Sequence, residues 1–66
     1  LNIYVNGKAT DVPDGLTLSG LVAQRRLNPD TIIVEHNYNL VQKERWDGIM
    51  LKENDRVEIL RFVEGG

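Results

Sequence analysis

The chain has 66 residues, 41% of them hydrophobic and 27% charged, with a formal net charge of −2. This length suits one domain with a small core, and the mild acidity excludes the dense basic surface that a phosphate backbone demands. The lack of cysteine excludes disulfides, thiolate zinc sites and a cysteine nucleophile, and no apolar run approaches the roughly 20 residues of a membrane span.

The opening stretch "LNIYVNG" has neither the basic nor the apolar region of a secretory signal, so a cytoplasmic location is expected. Leu1, Ile3 and Val5 alternate with Asn2 and Tyr4, the period of a half-buried strand. Asn6-Gly7 is a strong hairpin signal, because both residues take positive φ at low cost. "KATDV" is the return strand, closed by the turn Pro13-Asp14-Gly15.

Thr17 is placed to cap a helix. Beyond it Leu18, Leu21, Val22 and Arg25 fall at helical spacing, giving an apolar stripe that faces the sheet. Arg25 and Arg26 suit the negative end of the helix dipole. Gly20 weakens this helix and suggests a close approach to a strand. Asn28, preceding Pro29, ends it. "TIIVEH" reads as a third strand, "NYN" as a turn and "LVQ" as a brief fourth strand. One helical turn is expected at Lys43–Trp46, followed by an irregular covering segment and the turn "KENDR". The last strand is expected from about Arg56 to Val63, with Val57 and Ile59 inward.

This order implies an α+β roll, a mixed sheet of four to five strands with one main helix packed across one face. The first and last strands, the most apolar pair, are expected side by side in the middle. That is the β-grasp arrangement of ubiquitin-like proteins, here a single domain over residues 1–66 with a flexible tail at 63–66.

A conventional active site is hard to assemble. His36 is the one histidine and reads as a surface or edge residue, while Ser19 is the one serine and has no histidine near it in sequence. Asp11, Asp14, Asp30, Asp47 and Asp55 read as solvated turn residues. Trp46 is expected to cover the core, with an interface anchor as the alternative. The expectation is a carrier acted on by other catalysts rather than an enzyme.

The end of the chain carries the functional reading. Gly65 and Gly66 prolong a core strand, so a carboxylate there would sit on a slender arm able to thread another protein's active site. A frayed tail is the plain alternative. Leu60 and Phe62 alternate with the inward residues, and Tyr4 points away from the helix on the neighbouring strand. Together with Val63 they are expected to form an apolar partner-binding patch on the open sheet face. The alternative places Leu60 or Phe62 beneath the segment near Trp46.

The stretches "IYVNG", "VEHNYNLVQKERW" and "NDRVEILRFVEGG" resemble the ThiS family, sulfur carriers of thiazole formation in thiamine biosynthesis. The resemblance implies that an E1-like, ThiF-like enzyme uses ATP to adenylate the carboxylate of Gly66, with no cofactor bound to the carrier itself. Sulfur delivered through a persulfide relay then leaves a thiocarboxylate on Gly66, and a ThiG-like thiazole synthase receives it. Gly65 and Glu64 form the tail in this scheme. Carriage of sulfur for molybdopterin synthesis or tRNA thiolation, a ubiquitin-like modifier, and a non-covalent interaction module are the alternatives. Asn54-Asp55 stands where such proteins commonly have Gly-Asp, and Glu64 where several have a small residue.

Overall fold

The computed structural model describes residues 1–62. In chain order the elements are strands β1 (Asn2–Val5) and β2 (Lys8–Asp11), helix α1 (Leu18–Gln24), and strands β3 (Ile32–His36), β4 (Asn39–Val41) and β5 (Arg56–Arg61). A short 3₁₀ turn at Pro29–Thr31 leads into β3, and a longer one at Lys43–Gly48 follows β4. The sheet order is β2-β1-β5-β3-β4, with β1 and β5 parallel at its centre and every other pair antiparallel. This is the β-grasp arrangement.

Local chemistry accounts for the corners. Asn6 and Gly7 take φ of 51° and 80°, the paired left-handed conformation that two-residue hairpins require. The Asn6 side chain does a second job, accepting from the Ile59 amide at 2.7 Å and so tying the hairpin to β5. The Thr17 hydroxyl accepts from the Gly20 amide at 3.1 Å, which caps α1 as expected. Asn28 starts the 3₁₀ turn before β3, its side-chain oxygen accepting from the Asp30 amide.

Leu18, Leu21 and Val22 from α1 are buried against Ile3, Val5, Ile32, Val34 and Val57 from the sheet. Trp46 lies over the edge of this core, 4% exposed, its indole N–H donating to the Val41 carbonyl at 3.0 Å. It is therefore core cover. The following segment is pinned to the start of the helix, with the Leu18 amide donating to Ile49 and the Leu51 amide to Leu16.

Four local expectations are corrected. The helix stops at Gln24, so Arg25 is its C-cap and Arg26 follows with φ of 57°. The close approach at Gly20 is to the Leu16 side chain, where an added Cβ would lie 2.7 Å from Cδ1, and not to a strand. His36 is no edge residue, because β3 is flanked by β5 and β4. Asp55 is no solvated turn acid: it is 8% exposed, because the turn before β5 folds under the β3–β4 hairpin. Among the described residues no helix is long and apolar enough to cross a membrane.

Candidate functional site

Alternation along β5 sorts its side chains between the two faces of the sheet. Val57 is buried and Ile59 half-buried on the helix side. Arg56, Glu58 and Leu60 face the other way, and pairing registers supply their neighbours. Tyr4 stands beside Arg56, Glu35 opposite Glu58, and Ile33 opposite Leu60, while Leu40 pairs with Glu35 from β4. Directly paired residues share a face, so the open surface runs in rows: Tyr4 with Arg56, then the two glutamates with Leu40, then Leu60 with Ile33.

Leu60 and Phe62 are 53% and 43% exposed, and Ile33 adds a further exposed apolar side chain next to Leu60. Neither Leu60 nor Phe62 lies beneath the segment near Trp46, since both are open to solvent. Tyr4 is half-buried, and the Arg56 guanidinium lies over its ring at 4.8 Å from the centroid. Four steps along β5 separate Arg56 from Leu60, roughly 13 Å at strand rise, with Glu58 midway between them. The structure thus brings Leu60 and Ile33 together and holds Tyr4 apart under its arginine. Val63, Glu64, Gly65 and Gly66 lie outside the described residues.

The other end of the face rests on a polar lock. The Asp55 carboxylate accepts from His36 Nε2 at 2.8 Å, from the Lys52 amide at 2.9 Å and from Asn37 Nδ2 at 3.1 Å. A carboxylate can only accept, so the His36 proton resides on Nε2. Burial pushes the Asp55 carboxyl upward, but the bonds from His36, Lys52 and Asn37 together outweigh it and hold the group below its ordinary value of 3.8. Asn37 completes the clamp, its side-chain oxygen accepting from the Arg56 amide at 2.9 Å. Next to it Tyr38 holds φ of 72° with its ring 75% exposed, a conformation bulky residues rarely adopt. Among the described residues no group of three or more His, Asp or Glu side chains is placed to hold a metal ion.

Ile33, the Glu35–Glu58 pair and the Asp55 lock escaped the sequence reading. Each depends on which residue of one strand meets which residue of another.

A protein-family model described as the ThiS family matches residues 2–66. The chain belongs to the ThiS family. Among ThiS relatives, the sulfur carrier protein ThiS of Bacillus subtilis is 37% identical over 67 residues, covering 97% of this chain and 98% of that one. A thiazole synthase of Magnetococcus marinus is 30% identical over 66 residues; the whole chain matches, but it spans only 20% of that protein's length. The crystal structure of the ThiS thiamine biosynthesis protein from Geobacter metallireducens superposes over the full length of both chains with a TM-score of 0.87 at 30% identity.

Proposed function

We propose that this ThiS-family chain is a sulfur carrier of thiamine biosynthesis, acted on by partner enzymes rather than catalysing a reaction itself. The observation that carries the reading is the 37% identity with the Bacillus carrier, running almost end to end in both proteins. In the finer reading the carboxylate of Gly66 is the reacting group. A carboxylate is a poor electrophile, and an E1-like, ThiF-like enzyme converts it with ATP into a mixed anhydride with AMP, expelling pyrophosphate. The outer sulfur of a persulfide displaces AMP to form an acyl disulfide, and a thiol then cleaves its S–S bond, leaving a thiocarboxylate on Gly66 and a disulfide on the relay. A ThiG-like thiazole synthase then takes the sulfur into the thiazole ring. The match of the whole chain to a segment of a protein named thiazole synthase supports that partnership.

In this scheme the body of the molecule is a handle. Leu60, Ile33 and Phe62 offer an apolar surface near the end of β5, and gripping it would hold Gly66 in the partner's site. Holding the arm there makes each attack effectively intramolecular. The test is to incubate the full chain with an E1-like partner, ATP, a persulfide donor and a thiol reductant and to record its intact mass. Replacement of one oxygen by sulfur at Gly66 is expected. An unchanged mass beside a demonstrably active partner rejects the reading.

A further inference from the structure

A cleft of about 400 Å³ opens on the helix side of the sheet, between the end of α1 and the outgoing end of β5. Its floor is apolar, formed by Val5, Leu27, Ile32 and Ile59. Arg25 and Arg61 line it from opposite elements, the helix C-cap and the last residue of β5. Both arginines are exposed, and among the described residues neither guanidinium takes part in an ion pair. Lys8 is in register with Val5 and stands on the same face of the sheet, at the cleft's β1 side. Among the described residues no acidic side chain lines the cleft. In a chain of net charge −2 this is a local concentration of positive charge around an apolar hollow.

We propose that this cleft is a docking site for an acidic segment of a partner protein, one that seats an apolar side chain on the floor and offers carboxylates to Arg25 and Arg61. Charge complementarity selects the occupant. Arginine is the side chain best matched to a carboxylate, through two parallel N–H···O bonds. The floor supplies what a bare anion would not use, apolar area to desolvate. Nucleic acid is a poorer fit, because the floor carries no aromatic platform for a base and the chain as a whole repels a polyanion. The site lies on the face of the sheet opposite the Leu60–Ile33 surface and stands whether or not the sulfur-carrier reading holds.

The test is NMR titration of the full chain, uniformly ¹⁵N-labelled, with the acetylated peptide Glu-Leu-Glu-Leu-Glu. The expected result is amide shift changes centred on Leu27, Ile32, Ile59 and Arg61, with affinity falling roughly tenfold in high salt because the charges are exposed. Arg25→Glu combined with Arg61→Glu should weaken binding by roughly tenfold or more, the scale of a lost charge contact at an interface. The milder pair Arg25→Gln and Arg61→Gln, with unchanged spectral dispersion, guards against an effect on folding. Four outcomes overturn the proposal: no shifts at the cleft with millimolar peptide, equal shifts with Gln-Leu-Gln-Leu-Gln, the same pattern with sodium acetate alone, or displacement of the peptide by anionic phospholipid vesicles or oligouridine.

Discussion

Glu35 on β3 and Glu58 on β5 stand directly opposite each other on the open face of the sheet. Like charges in such a pair destabilise the sheet. They sit between the apolar pair Leu60–Ile33 and the stacked pair Tyr4–Arg56, beside the surface proposed for partner binding. A charge arrangement that costs the free protein stability is consistent with a surface shaped for complementary charge on another molecule.

Glu58→Gln removes one charge of the pair while keeping the side chain's shape. Urea unfolding should show a gain of a few tenths of a kcal/mol, up to about 1 kcal/mol at low salt, shrinking as salt is added. Partner affinity should fall in the same variant. A loss of stability would mean that the two carboxylates are not in repulsive contact.

Leu60→Asp should change folding little, by about 1 kcal/mol or less, because half of the side chain is already in water and only its cross-strand contact with Ile33 is lost. Binding of an E1-like partner should drop by a far larger factor. Calorimetry on the pair and denaturation of the free chain separate the two effects. A collapse of stability would assign Leu60 to the core.

Asp55→Asn should destabilise by roughly 1–3 kcal/mol, since three donors converge on the carboxylate and an amide cannot accept from all of them. The effect carries a pH signature. The folded-state pKa of Asp55 is depressed, so its contribution is present above the unfolded value near 3.8 and is lost as pH falls through the lower folded value. Stability of the native chain and of the variant, measured from neutral pH down into that range, should therefore converge. A gap that stays constant to the lowest pH would show that packing, not the carboxylate charge, is responsible.

Tyr38→Gly should stabilise the fold by up to about 1 kcal/mol. It turns the β3–β4 turn into Asn-Gly and relieves a left-handed conformation that costs an L-residue roughly 1–2 kcal/mol, offset by the greater freedom of glycine when unfolded. The exposed ring contributes little burial to lose. A thermal midpoint that drops instead would reveal a packing role for the Tyr38 ring.

Much of the fold was legible because it is written in short-range chemistry. The Asn6-Gly7 hairpin, the Thr17 cap, the Leu18-Leu21-Val22 stripe and the alternation of Val57 and Ile59 each follow from residues a few positions apart. The side-by-side placement of β1 and β5 also followed, because two apolar strands seek the centre of a small sheet. The candidate surface was legible only in part. Leu60 and Phe62 declared themselves by alternation, whereas Ile33 did not, since "TIIVEH" carries apolar residues on both faces and nothing local says which is covered.

Local sequence, then, determined the turns, the cap, the alternation of faces along β1 and β5 and the likeness to the ThiS family. Tertiary structure alone decided that Ile33 meets Leu60, that Glu35 confronts Glu58, and that Asp55 is buried beneath His36 and Asn37. The reason is register. These partners are 18 to 27 residues apart in the chain, and a slip of one residue between strands would turn every side chain to the opposite face, so only the packed core can choose between the two.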